Sequence, residues 1–139
     1  MLRLLVIVLL AAVLPAQVLH AQNTEPVPSD PLGRITPQSA VLRFLEACHA
    51  REYAKAAHYL DLRQIPPADR ATEGPQLAQQ LEDLLDDTPF DIATMSRDPE
   101  GDLSDGLSPS REGLATFHLD GKPLELDLDR VELKPGFKV

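Results

Sequence analysis

The sequence predicts an α+β fold, in which an N-terminal helical hairpin and a third helix pack on a small antiparallel β-sheet containing a C-terminal hairpin. Two patterns indicate this. Apolar residues recur at helical spacing between residues 37 and 88, and they alternate with polar residues between 115 and 128. A two-stranded hairpin with one apolar face is not stable alone in water. We therefore expect that face to pack against the helices.

The helical hairpin is predicted to begin at Thr36-Pro37, because threonine caps helices and proline suits the first helical position. One helical face follows at spacing i, i+3, i+4 and i+7: Val41, Phe44, Leu45 and Cys48. The same spacing then returns in a second helix: Tyr53, Ala56, Ala57 and Leu60. The break between the helices is expected near residues 50–52. Small alanines permit close approach, which favours an antiparallel pair.

A third helix is expected from about Pro75, because Gly74-Pro75 interrupts any earlier start, to the Thr88-Pro89 step. Its predicted apolar side holds four leucines: Leu77, Leu81, Leu84 and Leu85. Its predicted polar side holds four acids: Glu82, Asp83, Asp86 and Asp87. Residues 90–92 are interpreted as a short strand.

The C-terminal hairpin is predicted to turn at Asp120-Gly121, a dipeptide that suits two-residue hairpin turns. That turn places apolar residues of the two strands opposite each other on one face, in two pairs: Phe117 with Leu124, and Ala115 with Leu126. The alternation then slips near Asp129-Arg130, which predicts a bulge or bend there.

The N-terminus predicts export. Residues 1–21 resemble a secretory signal, with Arg3 ahead of an apolar run, Leu4–Leu14, that is too short to span a bilayer. Residues 22–36 are expected to form an extended Pro-rich leader, and residues 37–139 a single extracytoplasmic domain. We expect a periplasmic protein.

Composition narrows the possible partners. The chain carries 13 basic and 22 acidic residues, a net charge of −9. Nucleic acids and anionic lipid surfaces need clusters of Lys and Arg, so neither is an expected partner. The single cysteine, Cys48, has no internal disulfide partner, and its apolar helical position predicts a small core residue.

The acidic loop, residues 98–105, is the candidate interaction surface, through four side chains: Asp98, Glu100, Asp102 and Asp105. Such a loop suggests calcium, a cation that takes several oxygen ligands. The twelve-residue calcium-loop template nevertheless fails. A start at Asp98 puts Leu103 at the glycine position and Pro109 at the glutamate position.

No other pattern predicts chemistry. Cys48 and the histidines of the mature chain lack ligand spacing, so a zinc site is not expected. Neither a glycine-framed serine nor a glycine-rich phosphate loop is present. The paired carboxylates suit solvated surfaces. We therefore expect no catalytic residue, metal ligand or cofactor, and a protein that is not an enzyme.

The most recognisable segments of the chain are Asp30-Pro-Leu-Gly-Arg34, Thr36-Pro37, the run from Tyr53 to Leu62, and Asp98-Pro-Glu-Gly-Asp102 with Asp105-Gly-Leu107. Together they resemble the extracytoplasmic N-terminal domain of bacterial proteins in the small-conductance mechanosensitive channel family. If the natural chain continues into such a channel, we expect the protein to be membrane-associated. The resemblance runs from Asp30 to about Val139. It implies an exported, non-enzymatic module ahead of a transmembrane channel, and it transfers no catalytic residue.

This chain departs from that pattern at its end. Residues 135–139 look like the start of another strand, after which relatives continue towards membrane helices. The chain is therefore expected to be either a truncated product or a free-standing module. Its expected role is interaction with, or modulation of, an envelope or membrane protein. Two alternatives stay open: a small-molecule-binding or enzymatic domain with a pocket between helices and hairpin, and a calcium-responsive module.

Overall fold

The computed structural model describes residues 30–139, so the predicted signal (1–21) and residues 22–29 of the predicted leader lie outside the described residues. The described helices are α1 (Pro37–His49), α2 (Tyr53–Ala56) and α3 (Arg70–Asp86), with 3₁₀ turns at Ala57–Tyr59 and Ile92–Thr94. The strands are β1 (Arg111–Leu119), β2 (Lys122–Asp129), β3 (Glu132–Lys134) and β4 (Phe137–Lys138). The predicted α+β fold is confirmed.

The start of α1 is confirmed in detail. The Thr36 hydroxyl accepts from the Ser39 backbone N–H at 3.1 Å, the Ser39 hydroxyl accepts from the Thr36 N–H at 3.1 Å, and Pro37 opens the helix. This reciprocal pair satisfies donors that a helix start leaves open. After α1 the chain reverses at residues 50–52, where Arg51 has a φ of 58°.

The segment before α1 is fixed to the helices by a buried ion pair. The Asp30 carboxylate, only 1% exposed, accepts from the Arg34 guanidinium at 2.9 and 3.0 Å and from the Arg34 backbone N–H at 2.7 Å. Arg34 also donates to the His58 carbonyl at 2.9 Å, and the Tyr59 hydroxyl donates to the Leu32 carbonyl at 2.8 Å. Residues 30–34 are therefore tied to the turn that follows α2.

Two expectations about α3 were wrong. The helix begins at Arg70 and contains Pro75, whose missing N–H removes a single backbone bond. Gly74 is buried, and a Cβ there would lie 2.9 Å from Leu62 Cδ1 and 3.1 Å from Ala57 Cβ. The absent side chain lets this early turn of α3 pack directly on the turn after α2, which favours helix despite the proline.

The prediction that Glu82 lies on the polar side of α3 was also wrong. Glu82 is buried and accepts a hydrogen bond from the Tyr53 hydroxyl at 2.9 Å. Leu77 and Leu84, predicted to face the core, are 38% and 39% exposed. Gly74 and Ala78 are buried and small, so α3 packs through the face that carries them. That face includes Glu82 and leaves Leu77 and Leu84 exposed.

Residues 90–92 do not form the predicted strand. Ile92–Thr94 form a 3₁₀ turn, because the Asp91 carboxylate caps it by accepting from the Ala93 N–H at 2.9 Å. An aspartate ahead of a turn competes with strand pairing through this local bond.

The C-terminal hairpin has the predicted register. Phe117 pairs with Leu124 and Ala115 with Leu126, and the turn residues Asp120 and Gly121 both have positive φ values, 51° and 76°. β1 also contains a bulge, between Gly113 and Ala115, that alternation did not predict. The expected bend after β2 is present, because β2 ends at Asp129 and β3 pairs with β4 in a separate small sheet.

The core joins the helices to one residue of the hairpin. Its buried members come from α1, α2, α3 and β1: Phe44, Ala47, Cys48, Ala56, Ala78, Leu85 and Phe117. Half-buried Leu114, Ala115 and Leu126 pack against this cluster, so the apolar face of the hairpin does contact the helices as expected.

Candidate functional site: a cleft between the helices and the C-terminal strands

The four predicted interaction residues of the acidic loop are exposed, but their carboxylates do not converge. The Asp98, Asp102 and Asp105 carboxylates each accept from a backbone N–H two residues further along, at 2.8 Å. Asp102 also accepts from the Ser104 hydroxyl at 2.6 Å, and these two bonds with Ser104 lower the pKa of Asp102. Between residues 30 and 139, no group of three or more His, Cys, Asp or Glu is placed to hold a metal ion.

A buried carboxylate from β1 fixes this loop in place. Glu112 is 7% exposed, and its two oxygens accept from the backbone N–H groups of Ser96, at 2.8 Å, and Asp102, at 3.1 Å. Gly101 passes so close that a Cβ would lie 3.3 Å from Glu112 Oε2. Charge-assisted bonds of this kind are stronger than neutral ones. Glu112 therefore anchors the residue just before the acidic loop region and the middle of the loop.

Sequence reasoning missed Glu112. Without a bulge, the Asp120-Gly121 turn would place Glu112 opposite Asp129, in the outward row. The bulge between Gly113 and Ala115, which alternation did not predict, shifts Glu112 opposite Leu128 and into the row that holds Phe117. There it is buried together with its hydrogen-bond partners, as buried charged residues usually are.

A cleft of about 780 Å³ separates the helices from the C-terminal strands. One wall is formed by residues 34–37, 57–63 and Arg70, and the facing wall by residues 109–112 and 128–133. The acidic loop contributes residues 99–101 to the rim. This volume lies within the range of small-molecule sites, roughly 300–1,000 Å³.

The cleft differs in charge from the rest of this acidic chain. Its lining contains five arginines: Arg34, Arg63, Arg70, Arg111 and Arg130. It also contains five acidic side chains: Asp61, Glu100, Glu112, Asp129 and Glu132. The lining is thus balanced in charge, whereas the whole chain carries 13 basic against 22 acidic residues.

Four of the five arginines pair with neighbouring carboxylates, and one of them is Arg130, at 2.8 Å from Glu100. Arg34 is held by Asp30, as described above. Arg63 donates to both oxygens of Asp61, at 2.8 and 2.6 Å. Arg111 donates to Asp129 at 3.0 Å. The guanidinium groups of Arg34, Arg63 and Arg111 are therefore mainly structural.

The other two arginines keep donors without an acceptor among residues 30–139. Arg70 donates through Nε to the Ile65 carbonyl at 2.8 Å, and none of the described carboxylates lies within salt-bridge distance of it. Arg130 uses Nη1 for the Pro99 carbonyl, at 3.0 Å, and for Glu100, at 2.8 Å. Its Nε is buried and finds no partner in the described chain. An unsatisfied buried donor costs about 1–3 kcal/mol.

Electrostatics link the two walls of the cleft. Hydrogen bonds from Arg63 lower the pKa of Asp61 to about 2, and the charge of Arg70 contributes in the same direction. Asp61 in turn raises the pKa of Arg63, and Asp129 on the facing wall adds to that effect. Charges on both walls therefore contribute to the pKa of Arg63.

The cleft also has apolar parts. Ile35 at its edge is 38% exposed and Leu133 on the facing wall is 46% exposed, while Leu62 and Leu128 are half-buried in its lining. Exposed aliphatic side chains beside guanidinium groups that keep open donors form a surface that can bind an amphiphilic anion. This arrangement was not visible in the sequence, because Arg70 and Arg130 come from different elements.

The lone cysteine has the predicted structural role. Cys48 is 1% exposed within the core, and burial, with smaller contributions from the Glu82 and Asp86 charges, raises the pKa of its thiol to about 12. Such a thiol stays protonated and unreactive at neutral pH.

No protein-family model, curated protein or solved structure matches this chain. Within residues 30–139, none of the helices has both the length and the apolar character needed to cross a membrane. The resemblance to mechanosensitive channel domains therefore stays a prediction from the sequence.

Proposed function

We propose that this chain is the non-enzymatic binding module of an exported bacterial envelope protein, and that the cleft is its binding surface. The observation that carries the proposal is the cleft itself, in which Arg70 and Arg130 each keep Nη donors without a described acceptor, beside exposed aliphatic side chains. Concave sites with a few convergent polar groups are typical binding sites.

The proposal takes up the small-molecule alternative, in which the pocket lies between the helices and the hairpin, while interaction with an envelope or membrane protein stays a prediction from the resemblance. The acidic loop is largely occupied with its own turns, whereas the cleft has donors to offer. The loop then acts as a rim of the cleft, fixed by Glu112 and by the pair of Glu100 with Arg130.

Site-specific photo-crosslinking in intact cells tests this proposal. A photoreactive residue replaces Leu133 in the cleft, and in a matched variant it replaces Gln80, an exposed residue of α3 outside the cleft. We expect a discrete adduct from position 133 and none from position 80. The added mass, measured on the intact protein, separates a protein partner from a small molecule.

A cleft-filling substitution makes the test stricter. Ala40 lies in the cleft lining, so Ala40→Trp should suppress the adduct formed at position 133 without unfolding the protein. An adduct that persists unchanged in Ala40→Trp, or equal adducts from positions 133 and 80, would contradict binding in the cleft.

The calcium-responsive alternative has a simple test of its own. A ligand that binds only the folded state raises its stability, so millimolar calcium should raise the melting temperature if the acidic loop binds it. Because Asp98, Asp102 and Asp105 point at separate backbone N–H groups, we expect no shift.

A further inference from the structure

We propose that the ligand bound in the cleft is a small organic monoanion, a carboxylate attached to an apolar chain, held between Arg70 and Arg130. This inference rests on the proposed binding function and deepens it by naming the chemistry of the ligand. It uses the part of the cleft where donors without protein acceptors face exposed aliphatic side chains.

The donors come from both sides of the cleft. Arg70, on the helical wall, has only its Nε occupied, by the Ile65 carbonyl. Arg130, on the strand wall, is fixed through Nη1 by Pro99 and Glu100, and this leaves Nη2 without an acceptor in the described chain. A guanidinium fork matches the two oxygens of a carboxylate in geometry and charge.

The charge balance of the lining selects a monoanion. Five carboxylates line the cleft together with the five arginines, and Glu100 and Asp129 lie beside the arginines of the strand wall. A polyphosphate or other polyanion would meet these carboxylates at close range, and like charges repel most strongly where solvent is reduced. A single carboxylate needs only the donors that are still open.

The remaining lining suits an apolar chain. Ile35, Leu62, Leu128 and Leu133 contribute aliphatic surface to the same cleft. Burying such surface against a ligand is favourable in proportion to the apolar area removed from water. The volume of about 780 Å³ accommodates a chain of medium length.

Calorimetric titration of the purified protein with octanoate tests the inference, with neutral octanamide as the matched ligand. We expect octanoate to bind the protein measurably and octanamide to bind at least about tenfold more weakly, because losing the charge-assisted bonds costs on the order of one factor of ten or more. Arg70→Gln and Arg130→Gln should each weaken octanoate binding by about tenfold.

Two further variants separate recognition from folding. Arg70→Lys keeps the charge but loses the fork, so its affinity should lie between those of wild type and Arg70→Gln. Arg97→Gln removes an exposed arginine that donates to Gln38 outside the cleft, and it should bind like wild type. Thermal unfolding of every variant identifies any loss of binding that is only a loss of fold.

Three outcomes would overturn the inference: no octanoate binding to wild type at millimolar concentration, octanamide binding as tight as octanoate, or equal affinities for folded Arg70→Gln and Arg97→Gln. If any of these occurs while position 133 still gives its adduct in cells, the cleft binds something of different chemistry and only the ligand class is wrong. If position 133 also gives no adduct, the proposed function fails as well.

Discussion

The helical part of the molecule, residues 30–95, and the strand part, residues 96–139, are held in place by different forces. Nine of the ten buried apolar residues in the described chain precede Ser96, and Phe117 is the tenth. Exposed large apolar side chains, by contrast, are divided equally among the described residues, and the four of the strand part are Leu103, Leu107, Leu124 and Leu133. One part is stabilised by apolar burial and the other is positioned largely by polar anchors.

This difference explains where the candidate site lies. Glu112 and Arg130 position the loop and strands through directed hydrogen bonds, which leave a gap beside the closely packed helices. The cleft occupies that gap. A surface positioned by charged groups keeps donors available for a ligand, whereas an apolar interface would have closed it.

The largest expected effect comes from the apolar core. Phe44→Ala should lower the free energy of unfolding by about 3–5 kcal/mol, because Phe44 is 5% exposed and packs edge-on against Tyr59. Urea unfolding measures the change. The matched substitution Leu103→Ala, at a side chain that is 66% exposed, should change stability by less than about 0.5 kcal/mol. Similar losses in both variants would erase the distinction between the two parts.

The second effect isolates the one core residue of the hairpin. Phe117→Ala should cost about 3 kcal/mol, at the lower end for such a truncation, because half-buried Leu114 and Leu126 can move into the space. Amide exchange should increase in β1 and β2 while α1 and α3 stay protected. Equal loss of protection in the helices would show that the two parts unfold as one unit.

The third effect concerns the buried ion pair that ties down residues 30–34. Asp30→Asn should cost about 2 kcal/mol at neutral pH, because Arg34 loses a charged acceptor on a side chain that is 1% exposed. Asp61→Asn is the matched control. Its carboxylate is paired with Arg63 but 45% exposed, so its loss should have little effect.

The Asp30 pair also predicts a pH dependence. The hydrogen bond from Arg34 holds the pKa of Asp30 below its ordinary value of 3.8. The stabilisation is therefore fully present above 3.8 and is lost as the pH falls through the lowered folded-state pKa. The stability difference between wild type and Asp30→Asn should shrink in this acidic range. A difference that stayed constant down to that pH would contradict the role of the carboxylate.

The smallest effect is local. Glu112→Gln should cost about 1–2 kcal/mol, because the amide NH₂ cannot accept from a backbone N–H as the second carboxylate oxygen does. Exchange of the Ser96 and Asp102 amides should accelerate, with the exposed Glu125→Gln as control. Unchanged protection at both amides would show that Glu112 does not fix the loop.

Local patterns in the sequence predicted the elements whose geometry is decided by neighbours in the chain. Thr36-Pro37 fixed the start of α1, and Asp120-Gly121 fixed the register of the hairpin, because caps and turns depend on a few adjacent residues. The core position of Cys48 followed from helical spacing in the same way.

The remaining features depend on residues that are distant in sequence. Glu82 is buried because the Tyr53 hydroxyl, 29 residues away, donates to it, and no pattern within α3 reveals that partner. The cleft requires Arg70 and Arg130 to come from opposite walls, which only the packing of hairpin on helices produces. The acidic loop was predicted to be an interaction surface from its composition. Most of its carboxylates instead accept hydrogen bonds from backbone N–H groups within the loop's own turns.

Nuclear magnetic resonance titration of the ¹⁵N-labelled protein with octanoate tests most directly whether the cleft is the binding site. We expect saturable shifts confined to the cleft lining, largest near Arg70 and Arg130 and absent from the outer face of α3 around Gln80. Shifts that are absent, or that spread over the exposed leucines of α3 with no response at Arg70 and Arg130, would contradict binding in the cleft.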